Sequence, residues 1–372
     1  MDNAATTPLD PKVTKAMLPF FEEKFGNASS SHQLGRQAKE ALEKARSVIA
    51  KSIDAKPEEI FFTSGGTESN NFAIKSAAFT NRSKGNHIIT TKIEHECVLN
   101  SCKWLEKQGF KVTYLDVDEE GFIDLKALEE AMTSHTILVS VIHGNNEVGT
   151  IQDLADIGRI CREHKVLLHT DACQSYCKTD LSARDADLIT LNAHKIHGPK
   201  GVGALYVKEG TNILAWQSGG GHEYGLRSGT ENIPGIVGFA ECVKQAIPKK
   251  HRAYMKKLRD KLIYGILQIE GAKLNGPTGN KRLCNNTNFV FEGLVGETIG
   301  GYLDQKGICS STASACTVHT NEPSHVLQAM GLTKEQAEGG LRLTISRFTT
   351  EDEVNKVLKE LPGIIHKIKM FG

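Results

Sequence analysis

The chain has 372 residues and nine cysteines, but no two cysteines are spaced C-x-x-C. The closer pairs, Cys97 with Cys102, Cys173 with Cys177 and Cys309 with Cys316, match no common zinc spacing. The odd count also argues against a disulfide framework. No metal is expected, and most thiols should pack as small buried hydrophobes. No apolar run approaches the about 18–20 residues that a membrane span needs. The opening "MDNAATTPLD" has no basic segment followed by an apolar one. Formal net charge is +1, so bulk charge holds neither nucleic acid nor a lipid surface. Internal repeats and low-complexity tracts are also lacking. What remains is a soluble, cytoplasmic globular protein, long enough at roughly 100–200 residues per domain for two domains.

Helical and apolar segments alternate from about residue 35. Amphipathic helix is expected over 34–53, 67–79, 97–108, 124–132 with Asp124 as its N-cap, and 153–164 with Leu154, Ile157, Ile160 and Cys161 on one face. Short Ile-, Leu- and Val-rich runs at 58–63, 87–91, 111–117, 136–142, 165–170, 186–191 and 203–207 read as strands. That alternation indicates an α/β fold, a mostly parallel sheet covered on both faces. Near residue 250 the pattern changes to a long charged helix (249–268) followed by fewer strand candidates, 288–292 and 341–346. The expectation is a large domain over 13–250 and a smaller α+β domain from 1–12 and 251–372.

Ligands of open α/β sheets sit beyond the carboxyl ends of strands. Ser64-Gly65-Gly66-Thr67-Glu68 follows the first strand and opens a helix, a place where backbone N–H groups and the helix dipole welcome an anion. A plain capped turn would look the same. Later strand ends carry His95, Asn145 and Asn146, Asp171 and Gln174, and Asn192 to Lys195. Any one of them reads most simply as a satisfied structural residue. Together, a parallel sheet aims them at one rim. An anion seat, a carboxylate, an imidazole and a lysine suit pyridoxal 5'-phosphate. Its phosphate takes the helix N-terminus, its ring nitrogen needs a carboxylate, and its aldehyde forms a Schiff base with a lysine. Lys195, in "NAHKIHGPKGVGALYV", is that lysine, with His194 beside the phosphate.

These motifs, with "DNAATTP", "FGNASSSH", "FTSGGTESNN", "EHECVL", "NNEVGTIQ", "HTDACQS", "RSGTENI", "SACT", "EPSHVL" and "LRLTISRFTTEDEV" in this order, resemble the cysteine desulfurases of the NifS/IscS kind. These lie in the class V aminotransferase group of fold-type I pyridoxal-phosphate enzymes. The resemblance runs nearly end to end and implies a seven-stranded sheet. It implies Gly66 and Thr67 at the cofactor phosphate, His95 stacked on the ring as acid–base group, Asn146 and Gln174 at the ring hydroxyl region, and Asp171 at the ring nitrogen. Asn192, His194 and Lys195 complete the site, and Thr230 reaches the phosphate of a partner subunit, which implies a homodimer. Asn27 and Arg342 hold the carboxylate of the substrate L-cysteine. Cys316, on a loop of the small domain, attacks the substrate sulfur and leaves as a persulfide for a protein acceptor such as an iron–sulfur scaffold.

The sequence departs from the family pattern in a few places. Asn192 stands where Ser is usual, Ala313 where Gly is usual, and Met1 directly precedes "DNAATT", so a short edge strand is expected to be shortened. Cys309 has no family counterpart and reads as an ordinary core thiol, with a regulatory disulfide as the alternative. An aminotransferase or a selenocysteine lyase on the same scaffold is the competing enzyme reading, and Cys316 argues against the former. A decayed scaffold that only binds partners is the non-enzyme reading; Lys195, Asp171, His95, Cys316 and Arg342 speak against it.

Overall fold

Seven of the apolar runs form one sheet in the computed structural model, which describes residues 1–246, 249–312 and 323–371. They are β1 (Ile60–Thr63), β2 (His87–Thr91), β3 (Lys111–Leu115), β4 (Thr136–Ser140), β5 (Leu167–Asp171), β6 (Leu188–Asn192) and β7 (Gly203–Val207), in the order β1-β7-β6-β5-β4-β2-β3. All neighbours are parallel except those of β7, which runs against both β6 and β1. The reason lies in the connection. Residues 193–202 join β6 to β7, and a parallel return would need a crossover of a dozen or more residues. The segment carrying Lys195 is therefore a tight return at the sheet's rim.

Adjacent strand residues enter different cores: Phe62 and Ile89 pack on one face, Phe61 and Ile88 on the other. That is why these runs are apolar throughout rather than alternating. Helix Leu154–Glu163 buries Leu154, Ile157, Ile160 and Cys161 as their spacing predicts, and Asp124 caps helix Leu125–Ala131 by accepting from the Lys126 N–H.

A second, antiparallel sheet has the order β10-β9-β8, from β8 (Ala272–Leu274), β9 (Asn286–Phe291) and β10 (Gly340–Thr344). Helices Lys249–Ile266 and Glu351–Phe371 build its core with Leu262, Phe289, Leu341, Val357 and Leu361. The chain start meets β10 in a single bridge, Asp2 with Thr344. Among the described residues, no helix is long and apolar enough to cross a membrane.

Candidate active site

Because only β7 runs backwards, the carboxyl ends of the other six strands of the large sheet share one rim. A cavity of about 270 Å³ opens there, lined by Gly66, Thr67, His95, Asn146, Asp171, Gln174, Asn192, His194, Lys195 and Arg342. Ten expected residues thus meet in one place. Two others do not line it. Asn27 is exposed and accepts the Ser29 N–H at 2.8 Å, and Thr230 is exposed on a separate loop. Cys316 and Ala313 lie outside the described residues.

Lys195 is held by the N-terminal segment. Its Nζ donates to the carbonyls of Ala4, at 2.5 Å, and Ala5, at 2.6 Å. The same segment fixes the return itself: the Thr7 hydroxyl donates to the His194 carbonyl at 2.7 Å and accepts from the His197 N–H at 2.8 Å. His197 sits at φ 69°, a left-handed conformation rare without glycine. It is buried, its Nδ1 lies 2.9 Å from the Pro8 carbonyl, and its ring packs edge-on against Phe348. Of the two histidines framing Lys195, one therefore locks the loop and the other faces the cavity.

That second imidazole, His194, lies with Nδ1 3.1 Å from the Thr6 hydroxyl. Burial, helped by Lys195, Lys200 and Lys178, pushes it down to about 3. It is neutral near pH 7, so it offers an anion a hydrogen bond rather than a charge. Gly65, at φ 151°, adopts a backbone form open essentially to glycine, and a Cβ on Gly66 would come within 2.5 Å of Cys173 Sγ. Helix Gly66–Thr80 starts there, which gives the anion seat its N–H groups.

Asp171 ends β5 with one donor on each oxygen: the Cys173 N–H at 2.9 Å and Asn70 Nδ2 at 2.6 Å. Its carboxylate is thus fixed in orientation. His95 caps helix Glu96–Glu106. Its Nδ1 accepts the Cys97 N–H at 3.2 Å, so the neutral ring carries its proton on Nε2. The Cys97 sulfur lies 3.0 Å from the same Nδ1. Next to His95, Glu94 is fully buried; burial pushes its carboxyl up to about 8, against hydrogen bonds from Ile142 and Thr91. It is mostly neutral near pH 7 and does not compete with Asp171 for a cation.

Arg342 donates from one Nη to the Asn146 carbonyl at 2.9 Å and from the other to Asp2 at 3.0 Å, while its buried Nε has no partner among the described residues. Asn70, Asp2 and the Ala4 to Thr7 segment have roles that the sequence reading missed. Asn70 had a signal, since it lies one helical turn after Gly66 and is therefore on the same face. The carbonyls of Ala4 and Ala5 had none, being backbone. Cys309 corrects the core-thiol reading: it is exposed, following helix Gly296–Gln305 at the surface.

The model of the family described as aminotransferase class-V matches residues 1–357. The cysteine desulfurase IscS of Clostridium botulinum (strain Hall) is 48% identical over 371 residues, 98% of this chain and 94% of the relative. A solved structure titled NifS-like protein superposes with a TM-score of 0.92 at 40% identity, covering 98% of both chains. Another, titled SspA in complex with cysteine, has a TM-score of 0.84 at 37% identity over 94% of this chain and 99% of its own. With the strand-end cavity in place and likeness over nearly its whole length, the chain belongs to the class-V aminotransferases, in their cysteine desulfurase branch.

Proposed function

We propose that the chain is a pyridoxal-phosphate-dependent cysteine desulfurase, taking the sulfur of L-cysteine, releasing L-alanine and carrying the sulfur as a persulfide on Cys316. The observation that carries this reading is the meeting of Lys195, Asp171, His95 and Arg342 in one strand-end cavity. The cavity residues fit the cofactor. Asn146 Oδ1, Asn192 Oδ1 and Arg342 Nε are buried without partners among the described residues, which is costly unless a ligand meets them.

When bound, pyridoxal 5'-phosphate supplies an aldehyde for an amine and a ring that draws electrons from the substrate Cα. Gly66, Thr67, Asn192 and His194 would hold its phosphate, Asn146 and Gln174 its hydroxyl region, Asp171 its ring nitrogen and His95 its face. Lys195 gives up its hold on the Ala4 and Ala5 carbonyls to react and moves protons at Nζ. Arg342 and Asn27 take the substrate carboxylate, and His95 takes the proton of the substrate thiol. The Cys316 thiolate forms an S–S bond with the substrate sulfur, the C–S bond breaks, and the carbon gains a proton. The sulfur then passes to an acceptor protein such as an iron–sulfur scaffold. The division at about residue 250 belongs to the same reading: one core draws on Val13 to Ala246 and another on Met255 to Ile365, with a smaller cluster of Ile93, Ile142, Val290 and Val326 joining the two sides. Alanine formed from L-cysteine by the purified, cofactor-loaded protein tests the function; a protein that formed none would sink it.

Asp171→Asn is expected to keep the cofactor and lower kcat at least about 10²-fold. A neutral amide cannot hold a ring cation, and its NH₂ group would also oppose one of the two donors now served by Asp171. Absorbance of the bound cofactor beside steady-state kinetics checks this; near-normal kcat would remove Asp171 from the role.

Thr230 stands outside its own chain's cavity, and the reading places it at the partner's cofactor. The active form is then a homodimer. Sedimentation should show a dimer at assay concentrations, and a fully active monomer would contradict the assignment.

A further inference from the structure

Lys178 is buried, only 7% exposed. The groups acting most on its charge are Lys195 and the thiols of Cys284, Cys177 and Cys173, and no carboxylate is among them. Burial pushes its ammonium down to about 8, and Lys195 adds to the same direction. Burying an amine without a counter-ion costs stability, so packing does not explain it.

Its one side-chain hydrogen bond among the described residues gives the clue. Lys178 Nζ donates to Gln174 Oε1 at 3.4 Å. Gln174 Nε2 donates to the Ala4 carbonyl at 2.8 Å, and that same oxygen accepts from Lys195 Nζ. An ammonium only donates and a carbonyl only accepts. The two ends of the Gln174 amide are therefore set independently, and both constraints give the same orientation: oxygen toward Lys178, nitrogen toward Ala4 and the cavity. The amide nitrogen has two hydrogens, and Ala4 uses one.

We propose that Lys178 is a positioning residue: it holds the Gln174 amide so that an N–H, and not a carbonyl lone pair, faces the phenolic oxygen of bound pyridoxal phosphate. The proposal rests on the reading that Gln174 meets the cofactor's hydroxyl region. A flipped amide would set Oε1 against both the Ala4 carbonyl and an anionic ligand oxygen, and its nitrogen against an ammonium. Lys178 makes that state costly. Its position behind Gln174, off the ring itself, explains why a second lysine lies so close to Lys195 without competing for the aldehyde.

The experiment is a titration of the apo-protein with pyridoxal 5'-phosphate, read as protein fluorescence and the visible absorbance of the bound form. Lys178→Met, Gln174→Ala and the double variant are compared with wild type. Gln174→Ala should weaken binding about tenfold and Lys178→Met about threefold to tenfold, the range of one hydrogen bond. The double variant should be no weaker than Gln174→Ala, because Lys178 acts through Gln174. Apo Lys178→Met should melt no lower than apo wild type, since it loses a buried charge; a merely structural lysine would lower the melting temperature without the coupling. Wild-type affinity and spectrum in Lys178→Met, or losses that multiply in the double variant, overturn the proposal. If Gln174→Ala binds as wild type does, the underlying Gln174 assignment is what has failed, and the proposal falls with it. Should Lys178→Met not fold, Lys178→Leu, which likewise lacks a donor, carries the same comparison.

Discussion

Lys195→Ala loses turnover of L-cysteine by a factor on the order of 10³ or more, the scale on which removing a member of a catalytic unit acts. The argument is positional. Among the described residues only Lys195 brings a primary amine to the cavity wall, and Lys178, the other lysine nearby, sits behind Gln174. The return between β6 and β7 is short, locked at His194 and His197 by Thr7, and therefore presents the amine at a fixed place. Preorganisation of this kind keeps the reacting nitrogen within the narrow range that covalent catalysis needs. Alanine removes the nitrogen and leaves the loop's backbone bonds intact, so the variant should fold and still bind the cofactor non-covalently through its phosphate seat. Lys195→Arg is the control. It keeps a cation able to bond the Ala4 and Ala5 carbonyls, yet it should be as inactive as alanine. Borohydride treatment followed by peptide mass analysis decides the matter: wild type should keep the cofactor on the peptide containing residue 195, and neither variant should. A reducible covalent link in Lys195→Ala would move the assignment to another lysine.

Strand ends made most of this site legible. Each run of Ile, Leu and Val was long enough to be placed, and five of the seven, all but β3 and β7, led into residues with chemistry. A parallel sheet does the rest, because its geometry brings distant segments to one rim. The antiparallel β7 was legible in principle as well, from the ten-residue limit of its connection. The small domain was harder. β8 has three residues and none is fully buried, so no alternation exists to be read. Helix Glu351–Phe371 contains Pro362, which interrupts the reading of a pattern otherwise carried by Val354, Val357, Leu361, Ile364 and Ile365. Its start had a clear sign, the reciprocal bonds between Thr350 and Glu353 that a Thr-x-x-Glu spacing makes possible.

Other features of the site were beyond any sequence pattern. The two carbonyls on Lys195 are main-chain atoms contributed by a segment some 190 positions away. The pairing of Arg342 with Asp2 joins residues 340 positions apart. Such contacts depend on how the chain start passes between the large sheet and β10, and neither residue's neighbours announce it. Asp2 also defines what a substrate must do at Arg342. A carboxylate arriving there either shares the guanidinium with Asp2, using the unpartnered Nε, or displaces it.

The second large effect concerns Cys316. The described residues nearest to it along the chain are Thr312 and Pro323. Ser311, five positions earlier, exchanges two backbone bonds with Arg342, and Ser324 donates to Glu147, next to Asn146. Ser311 and Ser324, on either side of the segment that carries Cys316, are thus each tied to residues at or beside the cavity. Thiolate is the nucleophile that sulfur transfer requires, and a serine hydroxyl at neutral pH supplies no comparable anion. Cys316→Ser is therefore expected to bind pyridoxal phosphate and L-cysteine as wild type does, since Lys195, Asp171 and Arg342 are unchanged. Its alanine release should fall at least about 10²-fold, as for an enzyme deprived of its covalent nucleophile, and no persulfide should form on it. The measurement is alanine from L-cysteine and from L-selenocysteine, wild type beside variant. An aminotransferase would not register the change at all. Loss on L-cysteine with activity kept on L-selenocysteine would mean that selenium leaves without thiol attack and that both substrates are handled. Equal alanine release by variant and wild type from both substrates would remove Cys316 from the chemistry, and with it the persulfide route.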